Sequence, residues 1–319
     1  MSDYEPLDIE KLMAEQAAMR ALPDDFRSGF IAIVGRPNVG KSTLLNRLVG
    51  SKVAIISPKP QTTRRQILGM HTTDQAQLIF VDTPGIHEAH SKLGTVMNES
   101  ARAAIPDADV VLLMIDASER LTSLDQQIAR EVLRSDATPF LLLNKIDLVP
   151  QEQADARLAQ LAALGDWSAI FPISATTGDG VLGLREAIVE ALPLGPLYYP
   201  AEQFTDQRER DIATEIIREA ALHYLDQEVP HAVNVEIMEW TARDHAKSYV
   251  EAMIYVEKQS QKGIVIGRGG AMLKRIASRA RKELERVLGY PIYLDVRVKV
   301  RDGWRDDESW LNRWGYVSK

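Results

Sequence analysis

The sequence contains no cysteine. Disulfides and thiolate metal sites are thereby excluded, which fits a reducing cytoplasm without demanding one. It also lacks any run of the ~18–20 apolar residues that a membrane-crossing helix requires. Met1 to Phe26 carries several acids and neither the basic start nor the apolar stretch of a secretory signal. These absences predict a soluble, cytoplasmic protein, attached at most to a membrane surface. No internal repeat or low-complexity tract is evident.

What is present is ordinary in bulk and uneven in distribution. The 319 residues suffice for two domains with separate cores, and 45% apolar with 26% charged residues fits a globular protein. The net charge of −7, taken as one number, argues weakly against nucleic-acid binding. Its distribution argues the other way. Lys258 to Arg301 holds 12 Lys+Arg against 3 Asp+Glu, a local +9, which leaves −16 for the other 275 residues. An acidic part joined to a basic patch suggests two jobs on two domains.

Residues 1–28 read as an appendage, with a short helix expected over Ile9 to Arg20. From Gly29 to Leu192, apolar runs expected as strands (Phe30–Val34, Gln77–Val81, Val110–Ile115, Phe140–Leu143, Ile170–Ile173) alternate with helical stretches such as Lys41–Val49, Leu124–Arg134 and Leu182–Leu192. Ile67 and Leu68 mark a further edge strand. Apolar strands with helical crossovers predict a mostly parallel sheet with helices on both faces. Pro193 to Pro200 holds three prolines in eight residues and opens a linker over 193–204. Residues 205–319 then change order: helix (about 207–225), strand (232–240), strand (249–257), two helices and a strand (292–300), an α+β domain.

Gly35-Arg-Pro-Asn-Val-Gly40-Lys41-Ser42 follows a strand and opens a helix, which is the P-loop pattern. Its backbone N–H groups suit phosphate oxygens, Lys41 the β- and γ-phosphates and Ser42 a Mg²⁺ ion. Asn144-Lys145-Ile146-Asp147 ends a later strand, and a buried Asp147 carboxylate accepts from guanine N1–H and its amino group. Adenine would leave that carboxylate unpaired, at about 1–3 kcal/mol or more. Ser174-Ala175 offers backbone groups to guanine O6. Asp82-Thr83-Pro84-Gly85 ends another strand; Asp82 suits Mg²⁺ and the Gly85 N–H the γ-phosphate. Thr63, with Thr62 as its rival, is expected to close on Mg²⁺ in the GTP state.

The nucleotide-binding candidates are therefore Gly35, Asn38, Val39, Gly40, Lys41, Ser42, Thr43, Asp82, Thr83, Gly85, Asn144, Lys145, Asp147, Ser174 and Ala175. Ser42, Thr63 and Asp82 form the candidate metal set, and Lys41, Thr63 and Gly85 the catalytic set. One group is missing. Where Ras-like GTPases carry a water-orienting glutamine, this chain has Ile86, and the neighbouring His87 reads as a loop residue. Slow intrinsic hydrolysis is expected. Asn38 resembles the asparagine with which potassium-dependent GTPases hold K⁺, a further candidate cofactor.

Ile264-Val-Ile-Gly267-Arg268-Gly269-Gly270 followed by Lys274-Arg275-Ile276 looks like the GxxG core of a KH domain, inside the basic patch and in the type II order. Ile264 to Ile266 and Ile276 are candidates for a base-binding groove; Gly267, Gly269 and Gly270 form the loop; Arg268, Lys274 and Arg275 are phosphate candidates. Trp304, Trp310 and Trp314 either stack on bases or pack against the domain.

GRPNVGKS, PQTTR, DTPG, NKID and SA, followed by VIGRGG, together resemble the Era-type GTPases with a C-terminal KH domain. The likeness runs from about Gly29 to Gly315-Tyr316-Val317. It implies an α/β P-loop GTPase domain followed by an α+β type II KH domain. It further implies GTP/GDP and Mg²⁺ as ligands, GTP hydrolysis, and single-stranded RNA near the 3′ end of small-subunit (16S) rRNA as partner, in assembly of that subunit. Peripheral membrane association is part of the same implication, and a monomer is expected. Gly269 stands where family members often carry a polar or basic residue. Two other readings compete: an RNA-binding assembly factor whose nucleotide is mainly structural, and a tRNA-modification GTPase of the TrmE type. The second is opposed by the KH-like segment and the absent C-terminal cysteine.

Overall fold

The computed structural model describes residues 22–243 and 247–317, and the expected helix over Ile9 to Arg20 lies outside them. The first unit is built on strands β1 (Arg27–Val34), β2 (Ile67–Thr72), β3 (Ala76–Asp82), β4 (Val110–Asp116), β5 (Thr138–Asn144) and β6 (Ala169–Ile173). They form one sheet in the order β2-β3-β1-β4-β5-β6. Only β2, on the edge, runs antiparallel. Alternation along the strands explains why helices must cover both faces. Val110, Leu112 and Met114 of β4 join one apolar cluster, and Val111, Leu113 and Ile115 join the other. Helices α1 (Lys41–Val49) and α5 (Val181–Ala191) cover the first face. Helices α2 (Lys92–Ala103), α3 (Ser123–Leu133) and α4 (Gln151–Ala162) cover the second.

β1 starts three residues earlier than the sequence suggested, because Arg27, Ser28 and Gly29 already pair with Ala76, Gln77 and Leu78 of β3. The proline-rich segment is tied down along the sheet. Gln77, fully buried in β3, takes hydrogen bonds from the Tyr198 and Tyr199 N–H groups and donates to Tyr199 O. Thr205 Oγ1 donates to Leu68 O at 2.9 Å.

The second unit has strands β7 (Asn234–Arg243), β8 (Lys247–Val256) and β9 (Ile292–Val300), with β7 antiparallel and β9 parallel to β8. Helices α6 (Glu209–Tyr224), α8 (Gln259–Ile266) and α9 (Ala271–Leu288) pack on this sheet, and the four-residue α7 (Val229–Ala232) precedes β7. After β9 come a turn at Trp304–Asp306 and α10 (Glu308–Arg313). The tryptophans settle into packing. Trp304, Trp310 and Trp314 join Tyr255 and, from α2 of the first unit, Leu93 and Met97 in one cluster. Trp304 is fully buried and donates its indole N–H to Ala232 O at 2.9 Å, so it offers no face to a base.

The two units also meet around residues 52–65. Lys52 reaches Glu219 of α6 at 2.6 Å and Glu283 of α9 at 2.7 Å. Arg64, buried at 4% exposure, donates to Val233 O at 2.7 Å and His231 O at 3.1 Å. Arg218 of α6, with no exposed surface, donates to Thr62 O and pairs with Glu215. Two buried guanidiniums thus fasten the Thr62–Arg64 loop to the second unit.

Candidate functional site

Strand β1 lies between β3 and β4, and the chain passes from one side of it to the other. Open α/β sheets bind ligands at such a reversal, beyond the carboxyl ends of the strands. Every nucleotide motif follows a strand end here: the P-loop after β1, Asp82 at the end of β3, Asn144 at the end of β5 and Ser174 after β6. A cavity of about 350 Å³ opens there, lined by Gly40, Lys41, Ser42, Thr43, Thr63, Gly85, Asn144, Lys145 and Ala175 among others.

Lys41 begins α1 and lies almost wholly buried. Its ammonium donates to Gly35 O at 3.2 Å and Arg36 O at 2.8 Å. Burial pulls it down to about 8, with the nearby Asp82 charge opposing that shift. Gly35 and Gly40 keep the loop close: a side chain at Gly40 would meet the Asn144 amide at 2.3 Å. Asn144 in turn donates to Val39 O at 2.7 Å and accepts from Ala175 N–H at 2.9 Å, so one carboxamide joins the P-loop to the Ser174-Ala175 loop. The Val39 side chain itself belongs to the core.

Three oxygens converge beside Lys41. Ser42 Oγ donates to Asp82 Oδ2 at 2.7 Å and lies 2.9 Å from Thr63 Oγ1, which is 3.3 Å from the same carboxylate oxygen. Burial pushes Asp82 up to about 6, against the pull of Lys41, Ser42 and Thr63. Its second oxygen, Oδ1, is buried without a partner. A buried orphan carboxylate oxygen amid hydroxyl oxygens is a donor set that fits a hard divalent cation such as Mg²⁺. Thr62 turns elsewhere, donating its hydroxyl to Lys59 O at 2.6 Å. Gly85 passes so close to the P-loop that a Cβ would lie 2.5 Å from Pro37 N.

Several expectations shift. Thr83 lies in the motif, but its buried hydroxyl is committed to Ile33 O at 2.7 Å. Asp147 is exposed rather than buried, so any desolvation of its carboxylate would have to come with a ligand. Lys145 pairs with Asp116 Oδ2 at 2.5 Å; this buried acid at the end of β4 was missed, although an acid at a strand's carboxyl end was a legible signal. Arg47 of α1, also missed, donates to Ala175 O at 2.7 Å and to Thr176 O. Asn38 donates to Pro58 O at 2.9 Å. Ile86 is fully buried. His87 is more than a loop residue: its ring meets Gly85 O and the Gln61 amide.

In the second unit, Gly267 ends α8 with φ +72, and a Cβ there would lie 2.7 Å from Met272 Cβ. Only glycine fits such a turn. Ile264, Arg268, Lys274 and Arg275 are exposed and Ile266 is half-buried around the loop, while Gly269 and Gly270 complete it. Val265 and Ile276 belong to the core and not to a groove. Helical spacing is the reason: Ile276, Ala280 and Leu284, four residues apart, form the inner stripe of α9. Arg275 lies over the Tyr224 ring at 4.5 Å.

Residues 30–145 match the family model described as "50S ribosome-binding GTPase", and residues 228–305 match that of the KH domain. GTPase Era of Geobacter metallireducens is 46% identical over 293 residues, 92% of this chain and 98% of that protein. GTPase Era of Lacticaseibacillus paracasei is 44% identical over 295 residues, again 92% of this chain and 98% of that one. Among solved structures, a point variant of Aquifex aeolicus Era bound to GDP.AlF4- superposes with a TM-score of 0.89 at 38% identity, over 92% of this chain and 100% of that one. Era in complex with MgGDPNP and nucleotides 1506–1542 of 16S ribosomal RNA gives the same score, identity and coverage. With a P-loop GTPase unit, a KH unit and this likeness over nearly the whole length, the chain belongs to the Era family of GTPases.

Proposed function

We propose that the chain is a GTP-hydrolysing switch that grips single-stranded RNA, the 3′ region of 16S rRNA, during assembly of the small ribosomal subunit. One observation carries the coupling. Thr63 stands in the cation cage while the carbonyl of Thr62, the adjacent residue, is held by Arg218 of the KH unit. Whatever loosens Thr63 after hydrolysis must move that carbonyl, and with it a contact of the RNA-binding unit. The RNA and nucleotide assignments are supported by the Era complex with MgGDPNP and 16S RNA.

In this reading residues 29–192 form the GTPase domain, 193–204 the linker and 205–319 the RNA-binding domain. The P-loop amides from Gly35 to Thr43 and Lys41 take the phosphates; Ser42, Thr63 and Asp82 hold Mg²⁺; Gly85 senses the γ-phosphate. Mg²⁺, when bound, neutralises charge developing on the β- and γ-oxygens. Asn144, Lys145, Asp147, Ser174 and Ala175 take the guanine. Asn38 keeps its carbonyl oxygen for K⁺, and equal rates in Na⁺ and K⁺ would remove that ion. The exposed Ile264, Arg268, Lys274 and Arg275, with the half-buried Ile266, take the RNA around Gly267, Gly269 and Gly270. A cytoplasmic monomer with peripheral membrane contact completes the reading on the family resemblance; no helix of the described residues is long and apolar enough to cross a membrane.

The test is binding of a short RNA copying the 16S 3′ end, with GDP and with a non-hydrolysable GTP analogue. Tighter binding with the analogue, abolished by Gly267→Asp with Gly270→Asp, supports a gated clamp. Equal affinity in both states would instead favour an assembly factor whose nucleotide is structural.

A further inference from the structure

We propose that Gln61 orients the attacking water in this chain and that His87 holds its carboxamide in the required orientation. The inference rests on the GTP-hydrolysing reading above and deepens it. Ile86 occupies the place where Ras-like enzymes carry a glutamine, and it is fully buried, with its N–H donating to Gly35 O at 3.1 Å. It cannot serve. Gln61 reaches the nucleotide cavity from the other loop. It lines the nucleotide cavity with Lys41, Thr63 and Gly85, two residues before the cage threonine.

The hydrogen bonds fix which end of Gln61 is available. His87 Nδ1 lies 2.8 Å from Gly85 O, a carbonyl that can only accept, so Nδ1 carries the proton. In that tautomer the ring presents Nε2 as an acceptor, and Gln61 Nε2 lies 2.9 Å from it and donates. The amide nitrogen is thereby engaged, and among the described residues no protein donor meets Oε1, which remains available as an acceptor. An acceptor for a water proton is what orientation of the nucleophile requires.

Two features hold this arrangement in place. Asn98 of α2 clamps the His87 backbone from both sides, accepting from its N–H at 3.1 Å and donating to its carbonyl at 2.7 Å. Gln61 itself has φ +60, a left-handed conformation that an ordinary side chain resists. Such strain is concentrated at ligand clamps and switch segments.

The chemistry balances without a proton passing to Gln61. A lone pair of the water oxygen forms the new bond to the γ-phosphorus. The bond from that phosphorus to the bridging oxygen breaks, and its electron pair leaves with GDP. Both water protons end on the released dihydrogen phosphate. Gln61 Oε1 accepts a hydrogen bond from the water and lines its oxygen up for attack.

The experiment measures single-turnover GTP hydrolysis by the full chain, with affinities for GDP, for a non-hydrolysable GTP analogue and for GDP with aluminium fluoride. Gln61→Ala is expected to lower the rate by about 10- to 100-fold. Affinity for GDP and the GTP analogue stays within about threefold, while the aluminium fluoride complex, which mimics the transition state, weakens in step with the rate. Gln61→Gly relieves the backbone strain and must be as slow as Gln61→Ala, whereas Gln61→Glu keeps an acceptor and recovers part of the rate. His87→Ala is slow, and adding it to Gln61→Ala costs little more. Normal hydrolysis by Gln61→Ala or Gln61→Gly overturns the inference, as does an equal loss of GTP-analogue and aluminium fluoride binding. A wild-type chain that binds GTP without hydrolysing it would remove the switch reading as well.

Discussion

Replacing Arg218 with methionine keeps a long apolar stem in the interdomain space but removes the charge that grips Thr62. Arg218 has no exposed surface, donates to the Thr62 carbonyl and pairs with Glu215, whose side chain is 22% exposed. A hydrogen bond from a charged donor contributes about 1.5–3 kcal/mol. Glu215 retains some contact with water, so its loss of partner adds less than a fully buried carboxylate would. If the contact exists only while Thr63 sits in the cation cage, its removal should shrink the preference of RNA for the GTP state over the GDP state. The arithmetic gives a loss of roughly 10- to 150-fold in that ratio, or its complete collapse if the ratio starts smaller. The assay is RNA affinity with GDP and with a GTP analogue, in wild type, Arg218→Met and Arg218→Lys. Because coupling is reciprocal, GTP-analogue affinity should gain equally less from added RNA. A folded Arg218→Met protein with an unchanged ratio would refute this route between the domains.

Three further outcomes can be checked. Asp147→Asn replaces a carboxylate acceptor by an amide, so GDP affinity should fall about 100-fold or more while a xanthine nucleotide, with a carbonyl in place of the amino group, gains; retained GDP preference would place the guanine elsewhere. Trp304→Ala empties a fully buried site shared by both units and should cost about 3–5 kcal/mol in urea unfolding; a cost under about 1 kcal/mol would mean the cluster is not a joint. Glu283 is held down to about 2, chiefly by the Arg286 hydrogen bonds and then by Lys52, with burial working against them. Its folded value lies below the ordinary 4.5, so its stabilisation is present above that pH and is lost as pH falls toward about 2. Glu283→Gln should flatten acid unfolding in that window, and an unchanged slope would show that the Lys52 contact does not tie the domains in solution.

Much of the fold follows from local pattern. The continuous apolar run Val110–Ile115 points side chains to both faces, and these can be buried only by a sheet carrying helices on both faces. The motifs are legible for a related reason: the P-loop, Asp82 and Asn144 are short contiguous segments at strand ends, and the topology brings strand ends together. Where side-chain direction mattered, the pattern misled. Ile264, Val265 and Ile266 look alike in a string, yet successive helical residues point about 100° apart and only Val265 turns into the core.

The sequence by itself determined the two folds, the phosphate-binding loop and the chemical type of each ligand, because each of these is set by residues close along the chain. Tertiary structure alone decided how the parts act on one another. Arg218 meets Thr62 across 156 residues, and Gln61 meets His87 across 26. Trp304 closes on Leu93 and Met97 of the other unit instead of facing a base. Such contacts depend on the docking of whole domains and on the path of a strained loop. No local periodicity records those geometries, yet they decide whether a bound nucleotide can be felt by the RNA-binding half.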